Sequence, residues 1–128
     1  VAKYMISFND GDMTFPEEDF LAVGKAAHQV MREGVDSGIW LEGGGGFMGY
    51  APRVVGMDGS VRKGPLAASP VHIGGFAIIE VPSDEEANRW AHKIAVACRC
   101  PQEVRRIMDD PEGDALLLGR YRASERRA

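Results

Sequence analysis

Cysteine is scarce in this chain. Cys98 and Cys100 are the only two in 128 residues, too few and too close together to form a disulfide framework. Long hydrophobic runs are missing as well. Without about eighteen consecutive apolar residues no transmembrane helix is expected, and so no membrane partner. Val1-Ala2-Lys3-Tyr4-Met5 is not a basic region followed by a long apolar stretch, so no signal peptide is expected and the expected location is the cytoplasm. Positive charge is not in surplus: 15 Lys and Arg stand against 19 Asp and Glu, a net charge of -4. The basic residues are scattered apart from Arg105-Arg106 and Arg126-Arg127. That argues against a nucleic-acid binder, which neutralises phosphates with clustered Lys and Arg. No GxSxG elbow and no HExxH occurs. The spacing of His28, His72 and His92 is not that of metal ligands, and Cys98-Arg99-Cys100 is only half of a tetrahedral zinc set. No metal and no cofactor are expected.

What remains is an ordinary globular composition, 45% hydrophobic and 27% charged, of a length that suits one domain. Tyr4, Ile6 and Phe8 alternate with Met5 and Ser7, so residues 3–8 read as a strand. Thr14-Phe15-Pro16-Glu17 has the spacing of a capping box. From Phe20, the positions Gly24, Ala27, Met31 and Val35 recur at helical spacing as the expected buried stripe. Residues 39–41 form a short strand that enters four consecutive glycines. Asp58-Gly59 is a two-residue hairpin signal between residues 53–57 and 60–62. Residues 75–81 form the strongest strand, closed by Pro82. Ser83-Asp84-Glu85-Glu86 is a second capping box, and Ala87, Trp90, Ala91, Ile94 and Cys98 are the stripe of the helix it starts. Pro101 stops that helix and residues 102–108 make a last strand. The order β-α-β-β-β-α-β implies an α+β layer design with an antiparallel sheet and two helices on one face. Residues 109–128 lack periodicity beyond Leu116-Leu117-Leu118 and read as a tail, partly disordered or packed on a partner.

Gly43 to Gly46 look most like a ligand motif. A phosphate loop or dinucleotide fingerprint needs its glycines to lead into a helix N-terminus. Here they lead to Phe47-Met48-Gly49-Tyr50 and another strand, so a bulged, bent connection is expected. The strands carry a second implication. Phe76 and Ile78 fall on one sheet face, and Ala77, Ile79 and Val81 on the other. Two helices cover only one face, so a second subunit or a ligand is expected on the other.

The segment Asp58-Gly59-Ser60-Val61-Arg62-Lys63-Gly64-Pro65-Leu66-Ala67, then His72-Ile73-Gly74-Gly75-Phe76, resembles the YCII-related family in its DGPF-motif branch. That pattern is a hairpin, an Asp-Gly-Pro-Phe segment, a spacer and a Gly-Gly-aromatic strand start. A helix with an early Trp-Ala follows, here Trp90-Ala91, and Lys3-Tyr4-Met5 also fits. The resemblance spans residues 3–108. Lys63 and Leu66 replace the motif's Asp and Phe. It implies a ferredoxin-like α+β unit, residues 1–108, that forms a homodimer sheet to sheet as an α+β barrel. Relatives in the wider superfamily carry a His on the first helix and an Asp after the second, proposed as a catalytic pair, and some act on chlorinated aromatic compounds. His28 matches that His. Where the Asp-Pro context is expected, this chain has Cys98-Arg99-Cys100-Pro101, so the pair is incomplete.

Two functions follow as expectations. One is a small-molecule-binding or regulatory dimer. The other is an enzyme with His28 as general acid or base in a cavity between the first helix and the sheet, with His72 as a second group. The residues themselves favour His28 as a boundary imidazole and His72 as a solvated loop residue. Tyr4, Gly24, Trp40 and Phe47 are the expected pocket-lining residues, with Tyr50 beside them at the glycine bend. Cys98 is expected to be buried, Cys100 at a boundary, and His92 in solvent.

Overall fold

In the computed structural model, residues 1–47, 52–66 and 71–127 are described, with 120–127 as backbone. The calls on Met48, Tyr50 and Ala67 lie outside these residues. Strand β1 (Ala2–Asn9) leads through a 3-10 turn (Glu17–Asp19) into α1 (Phe20–Asp36). β2 (Trp40–Gly46), β3 (Arg53–Val55), β4 (Val61–Lys63) and β5 (Ile73–Val81) follow. Then come α2 (Asp84–Cys98), β6 (Glu103–Arg106) and α3 (Pro111–Arg127). The main sheet has the order β2-β5-β1-β6, with every neighbouring pair antiparallel. Each β-α-β unit is therefore split by a strand of the other, an arrangement compatible with a ferredoxin-like fold. β3 and β4 pair only with each other, as a separate hairpin inserted between β2 and β5.

Residues directly opposite in an antiparallel pair share a face. Tyr4 faces Ile79 and Ile6 faces Ala77. All four are buried and form the sheet side of the core, against Ala87, Trp90 and Ala91 of α2. On the opposite face Met5 lies across from Ile78 and Ser7 across from Phe76. Ser7 is buried, and the other three are half-buried.

α2 forms as its sequence indicates. The Ser83 hydroxyl accepts the Glu86 N–H at 3.2 Å, and Asp84, Glu85 and Glu86 lie at the positive end of the helix dipole. The helix ends where Arg99 adopts a left-handed conformation at φ 58°. That reversal folds the chain back, and the Cys100 N–H reaches Ala95 O at 3.2 Å. Cys100 is thus buried rather than at a boundary. Arg99 also donates to Asp19 at 2.7 Å, tying the end of α2 to the start of α1.

Three local expectations need correction. Thr14 caps nothing: Asp19 is the N-cap of α1, and neither it nor Pro16 makes a side-chain cap bond. Pro16 holds an extended conformation, φ -58° and ψ 143°, so the chain around it is not yet helical. The buried side of α1 keeps Ala27 and Met31 of the expected stripe but not its ends. Val23 and Gly34 are buried with Ala27 and Val30 half-buried between them, whereas Phe20 and Val35 are exposed. Phe20 instead meets Phe15 across 6.4 Å outside the helix seam. Gly34 is selected by close approach, since a Cβ there would stand 2.8 Å from Cε3 of Trp40. The hairpin closes one pair earlier than a two-residue turn, with the Gly56 N–H on Ser60 O at 2.8 Å. Gly59 at φ 84° makes the reversal, and Asp58 accepts the Ser60 N–H at 2.9 Å, a three-residue loop with glycine in the left-handed position.

Candidate functional site

The glycine run is part of β2 and is irregular. The register with β5 shifts between Trp40 and Glu42 and again between Gly43 and Gly46. Gly43 and Gly44 have φ of 86° and 126°, conformations that a side chain disfavours. A Cβ on Gly43 would collide with the Phe76 carbonyl oxygen and lie 3.1 Å from the Ala77 Cα. This is a bulge pressed onto β5, as the absence of a following helix predicts. It also positions Trp40, whose indole N–H donates to Gly43 O at 3.1 Å.

Between this bulge and the helices lies a cavity of about 140 Å³. The sheet contributes Ile6, Phe8, Trp40, Phe76, Ala77 and Gly44 to Gly46. α1 contributes Ala27, Val30 and Met31, and α2 contributes Ile94, Ala97 and Cys98. Met13 and Gln102 reach it from the connections. No Asp, Glu, Lys, Arg or His is among the described lining residues. The polar groups are few. The Gln102 amide donates to the Cys100 carbonyl at 3.3 Å and its sulfur at 3.5 Å, and the indole N–H is already engaged. Burial, with a smaller contribution from the Cys100 thiol, pushes the Cys98 thiol above its ordinary range. Burial and then Asp12 do the same to Cys100, with Gln102 opposing. Neither cysteine is set up as a thiolate nucleophile.

Of the expected pocket residues, Trp40 lines this cavity. Tyr4 lies in the core, and its hydroxyl donates to Asp84 at 2.5 Å, joining β1 to the first turn of α2. That bond, with burial next, raises the phenol above its ordinary value. Gly24 is half-buried on α1 with open space around it, and it does not line the cavity. Phe47 is exposed and stacks on Phe76 at 5.9 Å. His28 is exposed on α1. It follows Ala27 by one position, roughly 100° around the helix, which carries it off the packed side. His72 is half-buried, and its carbonyl accepts the Asp10 N–H at 2.7 Å. The structure does not bring His28 or His72 into the cavity. Met13, by contrast, belongs to no periodic element, and Gln102, expected in the last strand, instead precedes β6 (Glu103–Arg106), so spacing did not mark either as a cavity residue.

The chain matches no family model and no curated protein. Among the described residues no group of three or more His, Cys, Asp or Glu could hold a metal ion. No described helix is long and apolar enough to cross a membrane.

Proposed function

We propose that this protein is a small-molecule-binding or regulatory module of the YCII-related type, working as a homodimer through the open face of its sheet. One observation carries the binding reading: a cavity of about 140 Å³ between helices and sheet, lined by apolar side chains and no charged ones among the described residues. Apolar cavities near 150 Å³ admit a benzene-sized ligand. An uncharged guest of one ring, or of a short branched chain, suits this cavity. A charged one would exchange its hydration for a wall without counter-charge. Met5 and Ile78, opposite each other on the sheet face away from the helices, support the dimer. The catalytic alternative rests on His28, whose exposed position on α1 gives it no part in this cavity. Binding is therefore favoured over acid-base chemistry.

The test uses the methionine methyls as reporters. The chain has six methionines, of which Met13 and Met31 line the cavity. In carbon-detected methyl spectra, toluene should shift Met13 and Met31 saturably, while benzoate at equal concentration should not. Filling the space with Ala97→Leu should remove the toluene response. Shifts spread evenly over all methionines, or none at Met13 and Met31, would refute the binding site.

A further inference from the structure

The wall of the cavity between helices and sheet is apolar, but its few polar groups are not balanced. Among the described lining residues, Trp40, Cys98 and Gln102 have side chains with a hydrogen-bonding N–H, C=O or S–H group. The Trp40 indole N–H is engaged by Gly43 O at 3.1 Å. The Cys98 thiol is a weak donor and a weak acceptor. Gln102 therefore sets the polarity of the site.

Gln102 reaches the wall by the way the chain leaves α2. The left-handed Arg99 turns the chain back, and β6 begins one residue after Gln102. In the ladder between β1 and β6, Ser7 lies across from Glu103 and Ile6 across from Val104. One step further in that register, position 102 falls across from Phe8, on the sheet face that Ile6 and Val104 share. Ile6 and Phe8 both line the cavity. The amide is oriented by its neighbour. Its nitrogen lies 3.3 Å from the Cys100 carbonyl oxygen, which can only accept, so the nitrogen end is held on Cys100. The same nitrogen donates to Cys100 Sγ at 3.5 Å. The Gln102 Oε1, at the other end of the amide, accepts no hydrogen bond from any described residue.

We propose that Gln102 Oε1 is the specificity-determining contact of this cavity, and that the ligand is an uncharged one-ring or short branched molecule carrying a hydroxyl or amino donor, phenol being the simplest case. The proposal rests on the binding reading above and narrows it from shape to chemistry. A guest that offers an O–H to Oε1 gives that oxygen a partner when it displaces water. A purely apolar guest covers the oxygen without replacing its hydration. An acceptor-only guest such as benzonitrile meets no free strong donor among the described lining side chains.

Gln102→Met keeps the length of the side chain and removes the acceptor. Affinities for phenol and toluene are read from the Met13 and Met31 methyl shifts at neutral pH, where a phenol is uncharged. The variant should bind phenol about fivefold more weakly or worse, the worth of about one net hydrogen bond. Its toluene affinity should stay within about twofold, which also shows that the cavity is intact. In the unmodified chain the Gln102 side-chain carbonyl carbon should move downfield with phenol, as for an accepted hydrogen bond, and not with toluene. That measurement decides the matter if the variant does not fold. An unchanged phenol affinity, equal losses for both ligands, or a carbonyl carbon that ignores phenol would overturn the role of Gln102 while leaving the cavity as a binding site. A wild-type chain whose Met13 and Met31 respond to neither ligand would overturn the binding reading itself, and this proposal with it.

Discussion

Gly43 and Gly45 are two positions apart in the same glycine run, yet replacing each with alanine should have opposite effects. Gly43 has φ 86°, and its missing Cβ points at the backbone of β5, where Phe76 and Ala77 cannot withdraw without separating two paired strands. Placing alanine in the left-handed region costs about 1–2 kcal/mol, and forcing an atom into a packed contact adds about 1–3 kcal/mol. A net loss of about 3 kcal/mol is expected for Gly43→Ala. With an unfolding entropy of about 2.1 cal/mol/K per residue, the 128 residues give about 0.27 kcal/mol/K. The midpoint should then fall by about 11 °C. Gly45 has no atom within 4 Å of its missing Cβ and no positive φ. Gly45→Ala should be neutral or stabilising by up to about 1 kcal/mol, because the unfolded chain loses freedom. Urea and thermal unfolding followed by far-ultraviolet circular dichroism measure both. Trp40 fluorescence should shift only in Gly43→Ala, whose carbonyl holds the indole. Equal stability of the two variants would refute the claim that the bulge is pressed against β5.

Two other predictions concern ionisable groups. The folded Tyr4 phenol holds its proton more tightly than the ordinary value of 10.0, because Asp84 accepts its hydrogen. The folded state therefore binds more protons than the unfolded chain above pH 10, and stability should fall as pH rises through the folded value. Below pH 10 the contribution is fully present. Urea midpoints from pH 8 to 11 should show a smaller alkaline decline in Tyr4→Phe, and identical slopes would discount the bond. Cys98 and Cys100 are both buried with raised thiols. Iodoacetamide at pH 8 should label them at least ~10-fold more slowly than in denaturant, and fast labelling of the folded chain would contradict their burial.

The sheet and both core helices were legible where one signal dominated. Residues 75–81 alternate and end at proline, and Ser83 to Glu86 combine a cap hydroxyl with three acids, so boundaries there fell close to those found. α1 was less legible because two apolar sets share its spacing. Of the expected set, Ala27 and Met31 pack while its larger end residues, Phe20 and Val35, do not, and the difference lies in Trp40 arriving from another element against Gly34. The same turn of the helix separates His28 from the cavity. Trp40 was readable as a wall because it directly precedes the bulge. Met13 and Gln102 were not, since each reaches the cavity through tertiary contact alone. α3 carries no amphipathic period to be read. Its order is visible only in the charge gradient from Asp109 to Arg127.

The strand order has a consequence for how the chain is made. β1 occupies the interior of the sheet, yet both of its neighbours are encoded late. β5 begins sixty-four positions after β1 ends, and β6 lies beyond α2. At about 5–20 residues per second of synthesis, the first strand waits about 3–13 s for its first hydrogen-bonding neighbour. During that time Tyr4, Ile6 and Phe8 have no sheet to join, and β2 waits for the same strand. Residues 73–81 therefore give both waiting strands their partner at once, closing two edges on arrival.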